Sequence, residues 1–120
     1  MKFYVCEDGR HLFVSLSAEE HVPAGLKEVT ANTTDAAQEK HVPVVEVNGT
    51  NVTVKVGSVA HPMQEAHFIN WIVLETSHGY QQKRLVPGAE PVASFVLAEG
   101  EKAVAAYEFC NLHGLWKASI

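Results

Sequence analysis

Apolar and polar residues alternate with a period of two along most of the chain, a pattern typical of strands that bury one face. The clearest case is VVEVNGTNVTVKV, where two alternating runs flank Asn48 and Gly49. This dipeptide suits the positive backbone angles of a tight turn, and Val52, Val54 and Val56 then share one face. The pattern predicts a β-hairpin in this part of the chain.

Further alternating runs occur on both sides of that hairpin: FYV, HLFVSL, AHFINWIVLET, YQQKRLV, VASFVLA and KAVAAYEF. In AHFINWIVLET, strict alternation places Ile69 and Trp71 on the same side of a strand. Turn-forming clusters such as PGAEP and EGE separate the later runs. We therefore predict an all-β fold, a β-sandwich of about seven strands.

One segment, TTDAAQEK, favours a helix instead. Asp35 is suited to cap its first turn, but the segment has few apolar anchors and Pro43 follows closely. A single helical turn is expected.

The composition changes near residue 30, where SAEEHVPAGLKEVTANTT is richer in small and polar residues than the sequence after it. We predict a small β unit over residues 1–30 and a main domain over residues 31–120. A unit as short as the first carries no adequate core without a metal or a surface to dock on.

Composition and charge narrow the function classes. The chain has 120 residues, is 47% hydrophobic and carries a formal charge of -5. Its nine basic residues are scattered, which argues against nucleic acid as a partner. The start MKFYVCEDGRHLF lacks the apolar core of a signal peptide, and no run approaches the ~20 apolar residues of a membrane span. We expect a cytoplasmic protein without membrane contact.

Candidate metal ligands stand out against this background. HPMQEAH contains His61 and His67, CNLH contains Cys110 and His113, and His41 lies just ahead of a predicted strand. A single histidine on a half-apolar strand is ordinarily a surface or boundary residue. Four histidines and a cysteine at the ends of predicted elements instead favour a metal site, because thiolate and imidazole are ligands of transition metals.

The segments EKHVP, VGSVAHPMQEAHFINWI and CNLHGLW together resemble the superoxide reductase family, which includes neelaredoxin and desulfoferrodoxin. The resemblance extends from about Ala31 to Ala118. It implies an immunoglobulin-like β-sandwich with one mononuclear non-haem iron. It also implies the ligands, with Cys110 as the axial thiolate and four equatorial histidines: His41, His61, His67 and His113.

The same resemblance assigns roles to the two residues before His41. Glu39 is expected to close the open axial position in the ferric state, as a further iron ligand, and Lys40 to approach that position in the reduced state. The implied reaction is the one-electron reduction of superoxide to hydrogen peroxide. It requires an external electron donor such as rubredoxin, and a homo-oligomer (dimer or tetramer) is expected.

The N-terminal segment departs from the family members that have two iron sites. Those members hold a second iron with four cysteines that begin as C-x-x-C, whereas CEDG has Cys6 followed by Gly9 in the second position. Residues 1–30 are therefore predicted to be a desulforedoxin-like β unit without metal, with Cys6 as an unliganded thiol. Trp116, close behind the ligand loop, is expected to pack over it.

Three other functions stay open. A superoxide dismutase would use the same iron but release oxygen. A cupredoxin-like electron-transfer protein ordinarily has a weak axial methionine after its last histidine, and no methionine follows Cys110. A structural zinc module is disfavoured because five ligands exceed the four that zinc prefers.

Overall fold

The computed structural model describes residues 1–17 and 21–120, which form two compact units, Met1–Ala31 and Asn32–Ile120. The first unit contains a three-stranded antiparallel sheet in the order β2-β1-β3. Its strands are β1 (Phe3–Val5), β2 (Leu12–Val14) and β3 (Lys27–Val29). The side chains of Phe3 and Tyr4 on the central strand are buried.

The second unit is built from two antiparallel sheets. One sheet has the order β4-β5-β8, formed by β4 (Pro43–Asn48), β5 (Asn51–Val56) and β8 (Val92–Val96). The other has the order β10-β9-β6-β7, formed by β6 (Ile69–Thr76), β7 (Gly79–Arg84), β9 (Ala103–Cys110) and β10 (Gly114–Ser119). The predicted all-β sandwich is confirmed.

The core of the second unit joins both sheets. Val52, Val54 and Val56 on β5 are fully buried together with Ile72 and Leu74 on β6. Burying a side chain of this size contributes roughly 1.5–3 kcal/mol. The valine face that the period-two pattern predicted is therefore the face that holds the two sheets together.

The hairpin between β4 and β5 forms as predicted, with a small shift in its turn. Asn48 pairs with Asn51, so the two turn residues are Gly49 and Thr50, and Gly49 has φ +61°. The glycine supplies the left-handed conformation that the turn requires.

Strand β6 departs from strict alternation. Ile69 pairs with Cys110 while Trp71 pairs with Phe109, so Asn70 is an extra residue in a β-bulge. Ile69 belongs to the core, whereas Trp71 stacks on Phe109 at 5.9 Å outside it. The prediction that Ile69 and Trp71 share a side is wrong because a bulge reverses the alternation.

The helical segment is a single turn, α1 (Gln38–His41). Its N-cap is Ala37 and no side chain caps it, so the expected cap at Asp35 does not form. The turn ends at Val42, whose extended backbone is the conformation that a following proline favours. Across the described residues, no helix is long and apolar enough to cross a membrane.

Candidate metal centre

The predicted ligands come from the ends of elements in the second unit. His41 is the last residue of α1 and Cys110 the last residue of β9, and His113 lies in the turn before β10. His61 and His67 belong to the connection between β5 and β6. Strand pairing fixes the end of β9, because Ile69 on β6 and Gly114 on β10 both lie opposite Cys110.

Four of the five predicted donors form one close group, and the fifth lies beside it. The ligand atoms of His41, His61, His67 and Cys110 all lie within 4.8 Å of one another. Cys110 Sγ is 3.5 Å from His61 Nε2 and 3.8 Å from His113 Nδ1. His113 lies outside that group of four, but its Nδ1 is 3.1 Å from His41 Nε2, so this imidazole adjoins His41 and Cys110.

Hydrogen bonds on the outer side of the ligands fix their tautomers. His41 Nδ1 donates to the Ala37 carbonyl at 2.7 Å, and His61 Nδ1 donates to the Pro62 carbonyl at 2.6 Å. Each bond leaves the Nε2 lone pair directed at the cluster, which is the usual arrangement of histidine ligands. His67 Nε2 is buried and has no hydrogen-bond partner within the described part of the chain.

Trp116 contacts two of the segments that carry predicted ligands. Its indole ring stacks on the His41 imidazole with 4.9 Å between ring centroids, and its Nε1 donates to the His113 carbonyl at 3.1 Å. The side chain itself is buried. The expected packing of Trp116 over the ligand loop is confirmed.

Burial sets the protonation of the donors. It lowers the pKa of His61 to about 4 and also lowers the pKa values of His41 and His67. These imidazoles are therefore neutral near pH 7, in the form that binds metal. Burial raises the pKa of the Cys110 thiol, although the backbone amides of Leu112 and His113 act in the opposite direction.

This donor set fits a transition metal ion. A buried thiol needs an adjacent cation to lose its proton, neutral imidazoles add no charge, and the unpartnered His67 nitrogen gains a partner when a metal is bound. Thiolate with several imidazoles suits iron, zinc or copper rather than magnesium or calcium.

Gly57, which the sequence analysis overlooked, allows α1 to approach the site. A Cβ atom on Gly57 would lie 2.7 Å from the Glu39 carbonyl oxygen and 2.8 Å from Lys40 Cα. The Val59 amide donates to the same Glu39 carbonyl at 3.0 Å. The signal available in the sequence was a glycine at the end of a strand, next to the ligand segment.

Glu39 and Lys40 themselves are exposed on α1. The positive charge of Lys40 contributes to the lowered pKa values of His41 and His67, after burial and the neighbouring histidines. Glu39 lies outside the group of four close donors. Its role as a ligand and the role of Lys40 stay predictions.

Comparison with known proteins agrees with this geometry. Residues 33–119 match the protein family described as desulfoferrodoxin. The desulfoferrodoxin of Clostridium acetobutylicum is 47% identical over 95 residues, which cover 79% of this chain and 74% of that protein. The desulfoferrodoxin of Syntrophotalea carbinolica is 53% identical over 87 residues, 72% of this chain and 68% of that protein. The chain belongs to the desulfoferrodoxin family.

A solved structure extends the similarity along the chain. The superoxide reductase from Treponema pallidum aligns with a TM-score of 0.81 and 43% identity, covering 99% of this chain and 100% of that one. The fold of this desulfoferrodoxin-family chain is therefore that of a known superoxide reductase over both of its units.

Glu108 is a second residue that the sequence analysis missed. It lies two positions before Cys110 on β9, opposite Ile72 and Trp116, and is fully buried. Neither carboxyl oxygen has a hydrogen-bond partner among the residues that the structure describes. Burial raises the pKa of Glu108 to about 9, so the native protein keeps this side chain protonated at neutral pH.

Replacing Glu108 with glutamine should change how the stability of the metal-free protein depends on pH. The unfolded glutamate releases its proton near pH 4.5, whereas the folded one keeps it until about pH 9. The stability that the bound proton contributes is thus fully present below pH 4.5 and is lost as pH rises toward 9. Chemical denaturation should show Glu108→Gln gaining stability over wild type as pH rises through this window. The exposed Glu46→Gln is the control, and a pH-independent difference for Glu108→Gln would contradict the assignment.

Proposed function

We propose that this chain is a superoxide reductase that reduces superoxide by one electron to hydrogen peroxide. The observation that carries the proposal is the convergence of four imidazoles on one buried cysteine, in a chain of the desulfoferrodoxin family. The balanced reaction adds one electron and two protons to each superoxide ion. An electron donor outside the chain is required, because each turnover consumes one electron.

The proposed cofactor is a single non-haem iron. Bound there, iron would supply the electron, and a thiolate ligand would increase its electron donation to superoxide. The residues that would hold it are His41, His61, His67, His113 and Cys110.

Lys40 is proposed to attract the substrate. The chain has a formal charge of -5, which on average repels an anion, but the local potential decides capture. The effect of Lys40 on the pKa values of His41 and His67 supports a position of its ammonium group near the centre. The same group can order water and help deliver protons to the product.

Glu39 is proposed to reach the centre in the oxidised state and close it to solvent. It is exposed on a single helical turn, and its backbone carbonyl is held by Ser58 and Val59. The exposed side chain can rotate while the backbone of α1, which also carries His41, stays in place, and this supports a movement confined to the Glu39 side chain.

The proposal includes the cellular setting. We assign the protein to the cytoplasm, to detoxification of superoxide, and to electron transport from a small carrier such as rubredoxin.

Residues 31–120 would form the iron-binding domain and residues 1–30 a desulforedoxin-like unit. The observed units Met1–Ala31 and Asn32–Ile120 support that division. A homo-oligomer is supported by exposed Val47 and Val96 on the edge strands β4 and β8.

Product stoichiometry tests the function. Iron-loaded, reduced protein mixed with superoxide should form one hydrogen peroxide per superoxide consumed and release no oxygen. Release of half an oxygen molecule per superoxide would instead identify a dismutase. A protein that exchanges electrons but does not consume superoxide would be an electron-transfer protein. Cys110→Ser is the matched variant, and it should lose the reaction.

Replacing Lys40 with alanine should slow the reaction of superoxide with the reduced protein. We expect a decrease of up to about tenfold at low ionic strength, because focused charge raises association rates by about this factor or more. The deficit should shrink as salt screens the lysine. The rate constant is measured by stopped-flow mixing or by pulsed generation of superoxide, over a range of salt concentrations. Lys55→Ala, at another exposed lysine, serves as control. Equal rate constants for Lys40→Ala and wild type would mean that Lys40 does not attract the substrate.

A further inference from the structure

The loop between β1 and β2 gathers three side chains of metal-binding type in the first unit. The ligand atoms of Cys6, Asp8 and His11 all lie within 4.8 Å of one another. The Cys6 amide donates to the His11 carbonyl at 3.3 Å, and the Gly9 amide donates to the Cys6 carbonyl at 3.0 Å. These bonds close the loop, and the adjacent strands β1 and β2 fix its two ends through the pairing of Val5 with Leu12.

Asp8 lies between the other two side chains. Its Oδ1 accepts a hydrogen bond from the Cys6 thiol at 2.9 Å, and its Oδ2 is bonded to His11 Nδ1. The amides of Arg10 and His11 also donate to Oδ1, at 2.8 and 3.2 Å. The carboxylate is therefore oriented by the backbone and touches both the thiol and the imidazole.

We propose that Cys6, Asp8 and His11 form a second metal site, which binds one divalent ion of intermediate softness, with Zn²⁺ the best fit. Thiolate, carboxylate and imidazole are the three side-chain ligand types that zinc accepts, and three protein ligands leave one position for water. One thiolate and one carboxylate neutralise the charge of a divalent ion. The proposal does not depend on the iron centre or on the reaction assigned to it.

Metal binding by these three side chains should release protons. The Cys6 thiol loses one proton to solvent when its sulfur binds the metal. Binding through His11 Nδ1 requires that this nitrogen carry no proton, so its hydrogen bond to Asp8 Oδ2 is given up. The pKa of Asp8 lies well below its usual range because of hydrogen bonds from the Cys6 thiol, the Arg10 amide and His11, so this ligand is already ionised. At least one proton, that of the thiol, should therefore be released per metal ion, and affinity should rise with pH.

A turn capped by a carboxylate explains only part of this arrangement. The cap needs Asp8 and the two amides, but it needs neither a thiol nor an imidazole at hydrogen-bond distance. A cavity of about 430 Å³ beside the loop is lined by Cys6, Glu7 and Lys27, among others, and gives water access to the sulfur side. The lack of further cysteines in residues 1–30 excludes a four-cysteine iron site, but it does not exclude a site with mixed ligands.

The first experiment measures the metal content of the protein with iron already bound. Iron-loaded protein, kept reduced, is equilibrated with Zn²⁺, desalted and assayed for both metals. We expect one zinc per chain in addition to the iron. Cys6→Ser, Asp8→Asn and His11→Asn should each weaken zinc binding at least about tenfold, since even outer-shell changes cost 10–100-fold. The exposed His78→Asn, outside both clusters, should leave it unchanged.

A second measurement identifies the sulfur ligand without any iron. The chain has two cysteines, so in Cys110→Ser a thiolate-to-cobalt absorption band on adding Co²⁺ can arise only from Cys6. The band should saturate at one cobalt per chain beyond any bound by the histidine cluster. It should weaken when His11→Asn is combined with Cys110→Ser. Two results would overturn the site directly: no such band, or a band unaffected by Asp8→Asn and His11→Asn. A band whose absorbance per chain rises with chain concentration would also overturn it, because Cys6 would then bridge two molecules.

Discussion

A buried thiol loses its proton readily only beside a positive charge, and Cys110 in the second unit is under that constraint. Cys110 is fully buried, and its surroundings raise the pKa of its thiol. Burial lowers the pKa values of three imidazoles in the cluster, those of His41, His61 and His67, so these offer lone pairs but no charge. A bound cation resolves this imbalance, since it stabilises the thiolate and partners the nitrogen atoms at once.

The β-sandwich supplies the rigidity that such a site requires. Cys110 ends a central strand of the larger sheet, and the bulge at Asn70 adjusts the neighbouring strand directly beside it. His41 is fixed by stacking on Trp116 and by the Ala37 carbonyl. The predicted ligands His41 and Cys110 are thus buried and held in place. In contrast, the side chains of Glu39 and Lys40, which are proposed to meet the substrate, precede His41 on α1 and are exposed.

Much of this architecture followed from the sequence, for identifiable physical reasons. Alternation of valines predicted the core face of β5, and the turn residues predicted the hairpin. Positions at the ends of predicted elements singled out four histidines and Cys110 as candidate ligands, whereas their arrangement as an axial thiolate and four equatorial imidazoles came from the resemblance to a family. The bulge in β6 was missed because alternation carries no sign of an inserted residue. Glu108 and Gly57 were missed because a buried carboxyl and a close backbone approach depend on distant strands that only the folded chain brings together.

Whether Cys110 holds iron is tested by the metal content and optical spectrum of protein purified without air and then oxidised. We expect one iron per chain and a visible thiolate-to-ferric absorption band that Cys110→Ser lacks. Zinc, copper or no metal in place of iron would contradict it. So would iron without the band, or a band that survives in Cys110→Ser, because either result would mean that the buried sulfur is not a ligand.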